Sequence, residues 1–239
     1  MASVMKTAAL AAPRRFSMVS RPLPVAGPGE VLIRTAATAV CHTDLGIYTG
    51  EHPGVKYPVV LGHESTGTIE TIGDGVTGFK PGQPVIINPI ISCGHCDSCR
   101  RNAQQLCRNA GLFGREVDGS LSEFVCLPVR YVHALPPRMP LADATLIETL
   151  ATVRHAQQRL NIIQGESVVV LGMGTTGLLH ARLAALTGAN PVIVVSRTQW
   201  KLDMAMKQGA HHALDTGAEK SVAEVLRLTG GNGADIVID

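Results

Sequence analysis

The chain has 239 residues, 45% of them apolar, 17% charged and 3% aromatic, with a formal net charge of +2. That is ample core material for one large domain or two ordinary ones, which excludes a disordered chain, and the near-neutral balance without a basic stripe argues against nucleic acid as a partner. The longest apolar stretch near the start, Ala8 to Ala12, is too short for a secretory core, and nothing approaches the roughly 20 apolar residues that span a bilayer.

A cytoplasmic protein is therefore expected. In that reducing compartment clustered cysteines favour metal over disulfides.

The first half reads as short strands punctuated by Gly and Pro. Val31-Leu32-Ile33 follows the turn Gly27-Pro28-Gly29-Glu30. Thr66 to Ile72 alternates as a half-buried strand and stops at Gly73-Asp74-Gly75. Lys80-Pro81-Gly82-Gln83 is another turn, followed by a strand from Pro84 to Asn88. Such a pattern predicts an all-β barrel or sandwich.

From Cys93 to Cys107 no core-facing periodicity is visible. Cys93, Cys96, Cys99 and Cys107 are spaced C-x2-C-x2-C-x7-C. Four thiolates on a tight loop, loosened by Gly94 and Ser98, satisfy tetrahedral zinc without a hydrophobic core and leave no open coordination position, so this zinc is read as structural. Free or disulfide-bonded cysteines and an iron–sulfur cluster are the alternatives.

Near Leu141 the pattern changes. Leu141 to Leu160 reads as helix, then Ser167–Leu171 as a buried strand, Leu178–Leu186 as helix and Pro191–Val195 as strand. Trp200–Lys207 follows as helix, His212–Leu214 as strand, Lys220–Leu228 as helix and Ala234–Ile238 as strand. Alternating β and α elements with buried-looking strands predict a parallel, doubly wound sheet. The boundary is placed at residue 150, dividing the chain into 1–150 and 151–239. Such a sheet normally has about six strands. A piece of a longer protein is therefore expected.

Gly172-Met173-Gly174-Thr175-Thr176-Gly177 is G-x-G-x-x-G between a strand and a helix, the context that makes it a dinucleotide loop. Two earlier clusters, Cys41-His42-Thr43-Asp44 and Gly62-His63-Glu64, are each weak alone. Together with the cysteine loop, the run ETLATVRHA at 148–156 and GMGTTG at 172–177, they give the chain its resemblance. It resembles the zinc-dependent medium-chain dehydrogenases, which include alcohol, sorbitol and threonine dehydrogenases.

The resemblance implies a GroES-like β-barrel catalytic domain followed by a Rossmann-type domain, incomplete here, and two zinc ions, one catalytic and one structural. It makes Cys41, His63 and Glu148 the catalytic zinc ligands and Glu64 a neighbouring carboxylate that approaches the metal during turnover. Asp44 becomes the acid that orients the ligand histidine, Thr43 the hydroxyl that takes the substrate proton, and His42 a residue facing the cofactor pyrophosphate. Two positions depart from the pattern. Gly46 stands where members often carry the histidine that ends a proton relay, and Thr149 stands where a proline usually follows the glutamate. The relay then ends in water, in the cofactor ribose or in another group; His52 is a candidate that reads equally as a surface residue.

Alongside Gly172, Gly174, Thr175, Thr176 and Gly177, the end of the second strand bears on the cofactor. It carries Ser196-Arg197 and no acid. Ser196 has a donor for a 2′-phosphate and Arg197 a cation to pair with it, so NADP(H) is predicted over NAD(H). The expected substrate is a small secondary alcohol, polyol or ketone, and the resemblance implies a homodimer or homotetramer. The alternatives are an NAD-dependent threonine- or sorbitol-type enzyme and a catalytically silent zinc- and nucleotide-binding fragment. Cys126 is read as core filler, Trp200 as a packing residue, His155 and His180 as structural, and His211 and His212 as turn residues.

Overall fold

The computed structural model describes residues 3–215 and 221–239. The chain divides into two compact units, Met1–Ile147 and Glu148–Asp239.

The first unit is built from β1 (Val4–Ala12), β2 (Arg15–Pro22), β3 (Glu30–Ala39), α1 (His42–Thr49), β4 (Val59–Val60), β5 (Glu64–Ile72), β6 (Pro84–Ile87), β7 (Ile90–Ile91), α2 (Asp97–Arg100), β8 (Gly111–Leu112), β9 (Phe124–Pro128), β10 (Val132–Ala134) and α3 (Leu141–Ala144). Five strands form a sheet in the order β10-β6-β5-β3-β9, and three form a second in the order β2-β1-β4. Inward residues of the five-stranded sheet, among them Val31, Ile33, Ile69, Val85 and Leu127, make one apolar cluster. Burying each such side chain contributes about 1.5–3 kcal/mol.

Register positions the site. β3 and β5 run antiparallel, and their last pair is Ala39 with Glu64. The end of β3 therefore delivers Cys41 beside His63, which precedes β5. α1 is pinned through Ile47, which packs with Leu10, Val59 and Leu61.

Several elements differ from the sequence expectation. The β1–β2 hairpin and α1 have no counterpart in the sequence pattern. The helix expected over Leu141–Leu160 breaks at Thr145, whose hydroxyl donates to the Ala142 carbonyl at 2.7 Å, and resumes as α4 (Leu146–Leu160). The cysteine loop contains α2 and a 3₁₀ turn at Gln104–Leu106.

The second unit continues with β11 (Val168–Leu171), α5 (Thr175–Thr187), β12 (Val192–Ser196), α6 (Gln199–Lys207), β13 (His212–Asp215), α7 (Ser221–Leu228) and β14 (Ile236–Ile238). Lys220, expected to open α7, lies outside the described residues. The four strands are parallel in the order β13-β12-β11-β14. Val168, Val170, Val192 and Val194 face Ala181, Ala184, Leu202 and Ala205 of the helices in one core. The strands read as unbroken apolar runs because helices cover them.

Candidate metal centres and cofactor loop

Cys96 caps α2, Cys99 lies within it, and Cys107 follows the 3₁₀ turn. These tight turns gather the four sulfurs of Cys93, Cys96, Cys99 and Cys107 to within 4.8 Å of one another. Cys96 and Cys99 sulfurs are 3.5 Å apart, Cys93 and Cys99 3.9 Å, and Cys96 and Cys107 3.9 Å. A tetrahedron with Zn–S of about 2.3 Å has edges near 3.8 Å, so the cage has the size of thiolate-bound zinc. No disulfide links them.

The backbone turns amides onto the sulfurs, Cys93 and Asn109 donating to Cys107 and Cys96 to Cys93. Amides of Cys99 and Arg108 hold the Cys96 thiol down at about 6. Desolvation and the three neighbouring sulfurs push Cys99 up to about 11. A cation among the sulfurs would oppose that rise. The His95 side chain is exposed and outside the donor set, its Nδ1 lying 2.9 Å from the Cys93 carbonyl, while its backbone amide helps to lower the Cys93 thiol.

A second donor set gathers Cys41, His63 and Glu64, again within 4.8 Å. Cys41 is the N-cap of α1. Asp44, three residues on, accepts the Cys41 amide at 2.9 Å and the Gly62 amide at 3.2 Å, tying the helix start to the segment that carries His63. Asp44, His63 and Glu64 are all buried. Asp44 Oδ1 stands 3.5 Å from His63 Nδ1, an ion-pair contact outside hydrogen-bond geometry that leaves Nδ1 without a hydrogen-bond partner.

Burial alone would lower the His63 pKa, but Asp44 and Cys41 outweigh it and lift it to about 10. The Cys41 thiol is lowered, chiefly by His63 and then by the amide and hydroxyl of Thr43. The Asp44 carboxyl, which burial would raise, is lowered by His63 and by the two amides. Thiolate, imidazole and carboxylate thus surround a place for positive charge, and a borderline-soft cation suits the Cys/His/carboxylate set.

Thr43 lies against the Cys41 sulfur, and His42 is exposed at the first position of α1. Glu148 lies in the first turn of α4, in the second unit. Sequence patterns did not mark the hydroxyl cluster behind this set. Ser65 and Ser120 contact each other, and Thr38 contacts both. Residues 27 and 82 positions away in the chain leave no local signal.

In the second unit Gly172 has φ +83°, which favours glycine. Gly174 is the N-cap of α5, and Thr175 and Thr176 are its first two residues. A Cβ on Gly177 would sit 1.9 Å from the Gly172 carbonyl oxygen, so only glycine permits this close turn. The result is an exposed helix N-terminus suited to a diphosphate. Ser196 ends β12 and is buried; Arg197 follows, exposed, and makes no ion pair among the described residues.

Some other expectations change. Trp200 is 60% exposed rather than packed in a core, with Lys201 Nζ over its ring. Cys126 is only half-buried, its sulfur 3.6 Å from Glu30. His180 is buried with Gln157, whose Nε2 donates to the His180 carbonyl at 2.8 Å, while His155 is exposed. His211 Nδ1 accepts the Val192 amide at 3.0 Å. Among the described residues no helix is long and apolar enough to cross a membrane.

Residues 27–137 match the family profile described as alcohol dehydrogenase GroES-like domain, and residues 175–239 match that described as zinc-binding dehydrogenase. L-threonine 3-dehydrogenase of Pyrococcus horikoshii is 36% identical over 225 residues, covering 93% of this chain and 64% of that protein. Sorbitol dehydrogenase of Bacillus subtilis is 30% identical over 236 residues, covering 97% and 67%. A crystal structure from Sinorhizobium meliloti, described as a zinc-binding dehydrogenase bound to NADP, superposes with a TM-score of 0.89 at 32% identity, covering 98% and 69%. The chain thus spans about two thirds of the length of the proteins it matches.

Proposed function

The chain belongs to the zinc-dependent medium-chain dehydrogenase family, and on that footing we propose that the protein interconverts a secondary alcohol or polyol and the matching ketone by hydride exchange with a nicotinamide cofactor, NADP(H) in preference to NAD(H). The observation that carries this is the convergence of Cys41, His63 and Glu64 on one spot, with Asp44 behind His63.

Cys41 and His63 hold the catalytic zinc, with Glu148 as the third ligand and Glu64 as the neighbouring carboxylate. Bound there, zinc supplies Lewis acidity that favours ionisation of an alcohol at neutral pH. Asp44 fixes the ring of His63 and sets which nitrogen is free for the metal. The Thr43 hydroxyl receives the substrate proton. Gly172, Gly174 and Gly177 let the backbone approach the pyrophosphate, the amides of Thr175 and Thr176 donate to it, and His42 faces it. Ser196 and Arg197 bind the 2′-phosphate, which carries the preference for NADP(H). Cys93, Cys96, Cys99 and Cys107 hold a second, structural zinc. The partners are small alcohols and ketones in the cytoplasm, and the assembly is a homodimer or homotetramer.

A second reading, an NAD-dependent threonine- or sorbitol-type enzyme, is favoured by the 36% and 30% identities to proteins with those names. A panel of secondary alcohols, polyols and L-threonine, assayed with NADP+ and with NAD+ on the full-length protein, tests both. Equal kcat/KM with the two cofactors contradicts the NADP(H) preference. Absence of turnover on the whole panel favours a catalytically silent scaffold.

A further inference from the structure

We propose that the hydroxyls of Thr38, Ser65 and Ser120 form a positioning device for the catalytic metal: they fix the spacing between Cys41 and His63, and with it how tightly zinc is held there. This rests on the zinc reading of that site given above. The two donors sit on separate pieces of chain. Cys41 follows β3, and His63 precedes β5. The segment leading to His63 lies along residues 119–121, the amides of Gly119, Ser120 and Leu121 donating to the carbonyls of Val60, Gly62 and Leu61 at 2.7, 3.1 and 2.9 Å. One hydroxyl comes from each piece. Thr38 stands three residues before Cys41, Ser65 two residues after His63, and Ser120 opposite Gly62.

The β3–β5 ladder leaves that spacing open to a slip. Its register shifts twice, between Leu32 and Ile33 and between Thr35 and Ala37. A slip of one residue turns every side chain to the other face. Thr38 and Ser65 are direct partners just beyond the second shift, at the end where the donors lie. The Ser65 hydroxyl donates to Thr38 Oγ1 at 3.3 Å, and the Thr38 hydroxyl donates to the Ser120 carbonyl at 3.4 Å. The Ser120 hydroxyl touches that of Ser65, whose proton is already placed on Thr38, so Ser120 is the donor in that pair. Three protons thus meet three acceptors in a closed set. Ser65 and Ser120 are buried, where a hydroxyl without a partner is costly, so the set favours this one arrangement.

The set bears directly on the chain before His63. Gly62 has φ +97°, and a Cβ on it would stand 2.7 Å from Thr38 Cγ2 and 2.9 Å from Ser120 Oγ. The cluster therefore presses against the Gly62 backbone, while Asp44 accepts the Gly62 amide. The space that His63 shares with Ser65 and Ser120 is about 10 Å³, room for no more than one water. No ligand fits there, so the cluster acts on the histidine and not on a substrate.

The test compares zinc affinity, by chelator competition on the full-length protein, for wild type, Ser65→Ala, Thr38→Val, Thr38→Ser and the double variant Ser65→Ala/Thr38→Val. The four-cysteine zinc serves as the internal control, and Tm is followed alongside. Ser65→Ala and Thr38→Val are each expected to weaken the zinc at Cys41 and His63 by about 10-fold, with the four-cysteine zinc within about twofold of wild type. Thr38→Ser keeps the hydroxyl and is expected to stay within about twofold at both sites. The double variant is expected to lose little more than either single variant, because one missing hydroxyl already opens the set. Unchanged affinity at Cys41 and His63 in both single variants overturns the assignment. So does an equal loss at both zinc ions with a lower Tm, the mark of a merely structural role, and so does a double variant whose loss is the product of the two single losses. Metal binding is read without turnover, so the two readings fail separately. A wild type that binds zinc at Cys41 and His63 but oxidises no alcohol overturns the dehydrogenase reading alone. A wild type that binds no zinc there overturns both.

Discussion

The Asp44 carboxylate lies 3.5 Å from His63 Nδ1 while it accepts the amides of Cys41 and Gly62. One buried acid thus ties the helix that carries one metal donor to the segment that carries another. The negative charges of Cys41 and Asp44 flank the ring and raise its proton affinity to about 10. A zinc ion bound at the donor set would take the place of that proton.

Removing the charge of Asp44 while keeping its shape should therefore weaken the metal rather than the fold. Asp44→Asn is expected to lower zinc affinity at this site by roughly 10- to 100-fold, measured by chelator competition. The four-cysteine zinc should be unaffected. Equal affinity in variant and wild type would contradict an orienting role for Asp44.

The two metal sites should fail differently. Cys99→Ser removes one corner of a closed cage and is expected to lower Tm by about 5 °C or more as that zinc is lost. Cys41→Ser should abolish turnover and lose the other zinc with little change in Tm. If both variants lost activity while remaining equally stable, this division of labour would be wrong.

Arg197 is exposed at the end of β12 and makes no ion pair of its own among the described residues. Arg197→Ala removes a charge-assisted contact of about 1.5–3 kcal/mol, so NADP(H) binding should weaken by roughly 10- to 100-fold. NAD(H) binding, followed by the same calorimetric titration, should stay within about twofold. A parallel loss of both cofactors would assign Arg197 to the fold instead.

His180 gives the second unit a sensitivity to acid. Burial holds its pKa below the ordinary 6.5. Above pH 6.5 the residue is neutral both folded and unfolded and does not affect stability. Below 6.5 the unfolded chain binds the proton first, so stability falls with pH until the folded pKa is reached. His180→Asn should flatten the drop in urea midpoint between pH 7.5 and 5.5 relative to wild type. Identical drops would show that His180 carries no such linkage.

The parallel sheet was legible because Val168–Leu171 and Val192–Ser196 are apolar runs covered on both sides and separated by helical spacing. The β1–β2 hairpin was not, since β2 is mostly exposed and shows no clean alternation. α1 leaves little trace in the sequence because its cap is Cys41, not an ordinary capping residue, and Gly46 interrupts its face. Trp200 read as a packing residue because aromatics usually bury, yet its place on α6 leaves it in solvent. The cysteine loop and the Gly172–Gly177 turn were visible because their donors are close in sequence. The pairing of Cys41 with His63 instead depends on the β3–β5 register, and the motifs hinted at it only through resemblance.

The most direct test is zinc content measured together with cofactor reduction on the purified full-length protein. The account predicts about two zinc ions per chain and NADPH formation that depends on a secondary alcohol or polyol. One zinc ion per chain, with no turnover on any alcohol, would contradict it.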